Sequence, residues 1–592
     1  MQEHINYEKN LKALRDLMKE KGIKSYIIAN ADPHNSEEPS FKYSEIRNQF
    51  SSYHAPAGTM LVTLADSFIY TDGRFWVAAE KQLKGSKTKL VKMGKEGVLS
   101  LEAYIKENDL LPVGFDFSLF PYSYLNTLSF NHISSDDIKD ISLSNIVKIK
   151  DDQEIKKIFK LDESLLTDSF DEKINEIHSF LNKNECDSLL ITALDEIAHV
   201  LGYRGFDIPY APVFYSYLFI SKDENHLFID KSKLDDNFAL KNKITIHNYE
   251  DIFSFLKKRK EKIAFDILSS NLKIIENIKN KVGLYSPILL SKSIKKEKEI
   301  KNILKYHIND GYYVFKLMKY ISENKDKELT EYDYALYLDS LRLSDKNCFE
   351  LSFETIASVD SNATMMHYAP TMKIHSKVSK NNHLLLVDSG GQYYGATTDI
   401  TRTFLIFNPT KEMIHDYTLT LKSQIALSTS IFMYGSSGHT LDIKAREVMW
   451  KEGLDYKCGT GHGVGYILNV HEGPIGFRYR SRAGVYDCGM LRIGQVITVE
   501  PGVYKNDKYG IRLENELLVV EDKVTDQGTF YKFKTITYCP YERKLIDKKM
   551  LTKEELKWLN SYHKEVYKKL YPLVKNNKDE LKYLTYLTSE IK

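Results

Sequence analysis

Residues 384–387, Leu-Leu-Leu-Val, run directly into Asp388, and ten residues later (389 to 398) Asp399 stands just before a second strand-like run at 401–406. An acid at the end of an apolar strand needs a partner before the strand can be buried. With an even number of intervening residues, an antiparallel hairpin sets Asp388 and Asp399 directly opposite each other, with Cβ atoms about 4.5–5.5 Å apart. Two carboxylates that close repel unless a cation lies between them. An exposed hairpin with turn-forming acids is the bland alternative. Two more acids narrow the choice. Glu500 ends the apolar run 496–499, and Glu514 falls on the alternate face from Ile511 and Leu513. His462 lies in the glycine-rich stretch 459–465, where backbone can approach a ligand closely. A lone histidine of this kind is more often a hydrogen-bonded core residue than a ligand. Together, four carboxylates and one imidazole without a thiolate make a hard-oxygen site for manganese, cobalt or zinc rather than a structural zinc site. That many acids can bridge two ions about 3.5–4 Å apart and hold a nucleophilic water.

The remaining sequence sets the context. With 592 residues, 42% of them apolar, the chain has material for several cores, and length alone suggests about three or four domains. Lysine and arginine (83) nearly balance aspartate and glutamate (81), which disfavours nucleic acid and acidic membranes as partners. No run of 18 apolar residues occurs, and residues 1–10 lack an apolar core of secretory length. A cytoplasmic location is expected. The five cysteines (186, 348, 458, 488 and 539) are scattered and odd in number, against both a disulfide framework and a thiolate site.

The first half reads as a weak repeat. Residues 11–30 give an amphipathic helix ending at Gly22 and an apolar strand that leads to Asp32-Pro-His34; residues 174–195 repeat the order. Both are followed by strand-like runs ending in an aspartate, Asp72 and Asp230. The fold class expected is α/β (α+β), with two related modules at 1–151 and 152–290 and a third domain at 291–592. The lysine-rich segment 292–305 reads as a solvated helix opening that domain, and 257–260 reads as solvated too. After Lys544 helical periodicity returns.

On these motifs the chain resembles the pita-bread metallopeptidases, and within them the three-domain cytosolic-type aminopeptidase P (Xaa-Pro aminopeptidase). The resemblance covers nearly the whole chain. It includes His34-Asn-Ser-Glu37, Thr71-Asp-Gly-Arg74 and Thr192-Ala-Leu-Asp195, then His367-Tyr-Ala-Pro370, Asp388-Ser-Gly390, Thr398-Asp-Ile-Thr-Arg-Thr403, the 459–465 stretch, His471-Glu-Gly-Pro474, Glu500-Pro-Gly502 and Trp558-Leu-Asn560. It implies two creatinase-like modules before a pita-bread catalytic domain with a C-terminal helical extension. It implies that Asp388 chelates one of two divalent ions, most often manganese, that Asp399 and Glu514 bridge both, and that His462 and Glu500 complete the second. Glu500 would be the base acting on the bridging water. His367 and His471 would orient the substrate and stabilise the developing oxyanion, and Arg512 would help hold the acids ionised. Glu37 and Arg74 are candidate contacts to the substrate's end in a homodimer, an internal ion pair being the other reading. The substrate implied is a peptide with proline second. An Xaa-Pro bond has no N–H, so affinity must come from apolar contact with the ring, for which His471, Val503 and Tyr504 are candidates. Val503 stands where many relatives carry an aromatic residue, and Tyr53-His-Ala-Pro56 departs from the family's usual turn. The alternatives are a prolidase-type dipeptidase, a methionine aminopeptidase, which two preceding modules disfavour, and a non-catalytic pita-bread binding protein, which would lack ligands that are all present.

Overall fold

The computed structural model describes residues 5–37, 39–149, 154–480 and 489–592. The first four residues, Cys488 and the expected module boundary at 151/152 lie outside them. The described residues form two compact units, one of residues up to 162 with 168–288, the other of 163–167, 289–480 and 489–592.

The first unit contains the repeat. The helix Tyr7–Lys21 buries Leu11, Leu14 and Met18, and the helix Phe170–Lys183 buries Ile174, Ile177 and Leu181 at the same spacing. Gly22 ends the first helix with φ 64°, a left-handed cap that glycine adopts without steric cost. Two six-stranded sheets follow one plan. In the first, the strand order is Lys89–Lys92, Ser67–Thr71, Thr59–Thr63, Ser25–Ile28, Val113–Phe115 and Ile138–Asp140. In the second it is Thr245–His247, Asn225–Ile229, Ser216–Ser221, Ser188–Ile191, Ile263–Asp266 and Lys281–Leu284. Parallel and antiparallel pairings follow the same order in both. His34 ties the two halves of this unit, its Nδ1 2.7 Å from the Thr192 carbonyl and its Nε2 2.7 Å from the Tyr249 hydroxyl.

In the second unit the helices Glu297–Asn324, Glu331–Leu343, Lys411–Ser428, Lys553–Val574 and Lys578–Thr588 bury a continuous apolar core against the sheets that carry the acids. The lysine-rich segment departs from expectation. Lys292 and Lys295 are buried, and both ammonium groups meet the buried Glu472 carboxylate, Lys292 at 3.0 Å. Periodicity missed this because the compensating charge lies about 180 positions further along the chain. Lys296, Lys298, Lys301 and Lys305 are exposed, as a solvated helix face requires.

Candidate metal centre

Two interrupted hairpins bring the acids together. The first pairs Leu384–Ser389 with Ile400–Leu405 and continues through Gly391–Tyr393 and Ala396–Thr397 to a two-residue turn at Tyr394 and Gly395. Asp388 is thereby opposite Thr401, and Asp399, two positions before Thr401, is its diagonal neighbour on the same face. Direct opposition of the two aspartates, which the ten-residue spacing suggested, would need the turn one residue earlier. Tertiary packing forbids it. Tyr393 is fully buried, stacked on Tyr306, with its hydroxyl donating to Asp310 at 2.7 Å, whereas Gly395 takes φ 133°.

The second hairpin is broken in the middle. Val496–Val499 pairs with Asn515–Thr525 in a six-stranded sheet, and Gly502–Lys505 pairs with Tyr509–Arg512 in a separate ribbon. Both ladders share one register: Val499 opposes Asn515 and Gly502 opposes Arg512, each pair summing to 1014. Glu500 and Glu514 therefore occupy opposed positions in the gap, rather than lying within strands as sequence alone suggested. Freed from the ladder, their backbone N–H groups donate elsewhere, Glu500 to Thr460 O at 2.7 Å and Glu514 to Thr401 O at 3.0 Å. The Gln424 amide donates to the carbonyls of Val499 (3.2 Å) and Leu513 (3.0 Å), so the break leaves these buried acceptors satisfied.

His462 enters from the strand Gly461–Gly463, at a register shift against Glu472–Phe477. A β-carbon at Gly461 would lie 2.0 Å from Thr498 O, so the flanking glycine is what lets the histidine strand press this close. One ligand atom each from Asp399, His462 and Glu514 lie within 4.8 Å of one another. His462 Nε2 is 3.4 Å from Asp399 Oδ2 and 3.6 Å from Glu500 Oε1. Asp388 is held by Arg512, Nη2 to Oδ2 2.6 Å. The same guanidinium donates from Nε to Thr401 Oγ1 (3.1 Å) and from Nη1 to the Tyr504 hydroxyl (2.8 Å). Thr401 in turn donates to Glu514 Oε2 at 2.8 Å.

The electrostatics ask for a cation. Burial, followed by the charges of Asp388 and Glu500, pushes the Asp399 carboxyl well above the usual carboxylate range. Burial and the charges of Asp399, Glu500 and Asp388 do the same to Glu514. Asp388 Oδ1 and Asp399 Oδ1 are buried without a hydrogen bond among the described residues. Unpartnered carboxylate oxygens, mutual repulsion and an imidazole at the same point fit divalent metal ions, which would replace protons as the neutralising charge.

The other expected residues fall in several places. The His471 ring stands edge-on to His462 with centroids 4.2 Å apart. His367 is exposed, one residue beyond Met366, whose carbonyl accepts from Arg512 Nη2 at 3.4 Å. Val503 is buried and packs with Leu419, Met449 and Tyr456. Glu37 and Arg74 belong to the first unit. Glu37 is exposed, and Arg74 makes a two-pronged ion pair with Asp72 at 2.9 and 2.8 Å.

Sequence reasoning passed over two supports. Glu516 Oε1 accepts the Asp399 backbone N–H at 2.7 Å, and its other oxygen lies 3.0 Å from His307 Nε2. Arg402, which the motif contained without a role, donates to the carbonyls of Thr401, Glu514, Cys539 and Pro540, to Asn515 Oδ1 and to the Tyr562 hydroxyl. The spacing of Glu514 and Glu516, which puts two acids on one buried segment, was the available signal for the first.

Comparison with known proteins agrees with this architecture. Residues 312–521 match metallopeptidase family M24, 150–299 match the creatinase/prolidase N-terminal domain, and 529–591 match the C-terminal region of peptidase M24. The chain is 36% identical to Xaa-Pro aminopeptidase 1 of Dictyostelium discoideum, over 99% of this chain and 97% of that one. It is 33% identical to a probable Xaa-Pro aminopeptidase P of Coprinopsis cinerea, over 99% of both. The crystal structure of an X-prolyl aminopeptidase from Caenorhabditis elegans, described as a cytosolic enzyme with a di-nuclear active site, superposes with a TM-score of 0.91 at 30% identity, covering 99% of this chain and 100% of that one.

Proposed function

The chain belongs to metallopeptidase family M24, among the Xaa-Pro aminopeptidases, and from that premise we propose that Asp388, Asp399, His462, Glu500 and Glu514 hold its dinuclear metal centre and that Glu500 is its general base. The protein is a metallo-aminopeptidase that hydrolyses the bond between an N-terminal residue and a following proline. What supports the ligand set above all is the convergence of Asp399, His462 and Glu514 within 4.8 Å beside carboxylate oxygens that accept no hydrogen bond among the described residues.

Two divalent ions, when bound, supply Lewis acidity for the scissile carbonyl and a lowered pKa for the attacking water. Glu500, in the gap of its ladder and less buried than the aspartates, accepts the water's proton as the carbonyl carbon is attacked. The prolyl nitrogen, a tertiary amide before cleavage, needs a proton to leave, and the proton taken by Glu500 is the nearest source. His471 and His367 orient the peptide and donate toward the oxygen where negative charge develops. Arg512 holds Asp388 in place by a charge-assisted hydrogen bond.

The proposal extends to manganese as the resident metal, on the oxygen-rich donor set, and to a cytoplasmic homodimer in which Glu37 and Arg74 contact the substrate's end. The description of the Caenorhabditis elegans relative as cytosolic supports the location, and family resemblance supports the dimer. It also keeps the three-domain division at 151/152 and 290/291, supported by the match of 150–299 to the creatinase/prolidase N-terminal domain. The deciding experiment compares Xaa-Pro-Xaa tripeptides, Xaa-Pro dipeptides and Xaa-Ala-Xaa controls on manganese-loaded and chelated protein. Metal-dependent release of the first residue from the Xaa-Pro-Xaa set is expected. Turnover restricted to dipeptides would instead mark a prolidase, and metal-independent turnover would refute the ligand assignment.

A further inference from the structure

Glu331 opens the helix Glu331–Leu343, and its side chain is fully buried. Among the described residues it has no cationic partner. The carboxylate instead accepts four hydrogen bonds: at Oε1 from the Val359 N–H (2.7 Å) and the Asn362 amide (2.9 Å), and at Oε2 from the Tyr368 hydroxyl (2.9 Å) and the Ser376 N–H (2.7 Å). Its place in the first helical turn adds the favourable field of the helix N-terminus.

All four donors lie on one stretch of chain, 359–376, and that stretch carries His367. Its regular structure is confined to the end of the strand Ile356–Val359 and the short 3-10 turn Asp360–Thr364. A segment with so little ladder of its own must be ordered by outside contacts. Glu331 grips it on both sides of the histidine, at Asn362 before and Tyr368 after. Arg512, the residue that also holds Asp388, grips it in the middle through the Met366 carbonyl. The segment is seated directly over the strand Tyr509–Arg512, where a β-carbon on Gly510 would lie 2.2 Å from Ala363 O. The carboxylate thus stands between the helix and the loop as the shared acceptor that fixes where residue 367 emerges, one position beyond the carbonyl held by Arg512.

From this arrangement we infer that Glu331 is a positioning residue for His367 in peptide hydrolysis. This rests on the proposed role of His367 toward substrate. Nothing in the geometry has Glu331 touch substrate; it acts through the loop alone. Its loss should therefore lower turnover by the share that a well-placed imidazole contributes, and by no more.

The test is a double-mutant cycle on the metal-loaded, full-length protein with an Xaa-Pro-Xaa tripeptide. Glu331→Gln keeps the shape but turns an amide NH2 toward two of the four donors. Its kcat is expected to fall about tenfold, with bound metal unchanged. In the His367→Ala background the same substitution should cost nothing further. Losses that multiply in the double variant, or an unchanged kcat in the single one, would overturn the inference. A wild-type rate for His367→Ala alone would instead remove the role of His367, leaving Glu331 nothing to position. Should Glu331→Gln fail to fold, Tyr368→Phe removes one of the four hydrogen bonds and leaves the carboxylate in place. It should give a smaller loss that also vanishes with His367→Ala, and a loss that persists there would equally overturn the inference.

Discussion

Arg512 Nη2 lies 2.6 Å from Asp388 Oδ2, and both side chains are buried, so the guanidinium neutralises one acid of a four-acid cluster and leaves Oδ1 without a hydrogen bond among the described residues. Its remaining donors reach Thr401, Tyr504 and Met366, which ties the acid to the loop that carries His367. Replacing it with methionine keeps much of the volume and removes every donor. Arg512→Met is expected to lower kcat/KM or metal affinity about 10- to 100-fold, the range typical of groups that orient metal ligands. Isothermal titration with manganese together with steady-state kinetics would check it; both quantities unchanged would refute the support role.

Glu500→Gln should keep the fold, since Glu500 N–H still donates to Thr460 O and the ladder gap is unaltered. A neutral amide cannot take the water's proton, so kcat is expected to fall at least about 100-fold. Circular dichroism and kinetics on the same preparation separate the two effects, and near-wild-type turnover would refute the assignment. For His471→Ala the expected loss is confined largely to kcat, with KM little changed; unaltered turnover would remove it from the reacting set.

The acid cluster predicts a pH dependence for the metal-free protein. Asp399 and Glu514 sit well above the usual carboxylate range, because burial and neighbouring acids disfavour their charged forms. The folded state then binds more protons than the unfolded one, so stability falls as pH rises above about 4, the ordinary carboxylate value. On the proposed ligand set, metal takes the place of those protons. The gap in thermal midpoint between manganese-loaded and chelated protein is therefore expected to widen as pH rises above the ordinary carboxylate range, with protons released on metal addition. A gap that narrows as pH rises would contradict the electrostatic account.

Arg402 is the hub between the acid-bearing strands and the C-terminal helix Lys553–Val574, which contributes Tyr562. Arg402→Met would strip donors from several buried carbonyls at once, each worth about 1–3 kcal/mol when left unsatisfied. A loss of at least about 3 kcal/mol is expected, read by urea unfolding of the metal-loaded protein. Tyr562→Phe, which removes one of those bonds together with the hydroxyl's own bonds to Thr537 and Cys539, should cost about 1–3 kcal/mol. Equal stability of Arg402→Met and wild type would show that water replaces the guanidinium.

The four candidate acids were legible because each stands in or beside an apolar run, a local contradiction visible without a fold. The paired modules were legible too, since Leu11, Leu14 and Met18 repeat as Ile174, Ile177 and Leu181. Local pattern could not say where a turn closes. The Asp388 hairpin turns at Tyr394 and Gly395 because Tyr393 is taken by Tyr306 and Asp310, which lie more than eighty residues earlier in the chain. Nor could it show that Glu500 and Glu514 meet in a ladder gap filled by Gln424, or that Lys292 and Lys295 are buried on Glu472.

Local pattern thus establishes the inventory: which acids and histidines the chain carries, beside which apolar runs, and the α/β order of its modules. Those properties depend on residues a few positions apart. Tertiary structure decided which acids face which, and which silent residues hold them. Arg402, Glu331 and Glu516 act on partners fixed by packing, and a charged side chain is readable as structural only once the group that neutralises or hydrogen-bonds it has been brought alongside.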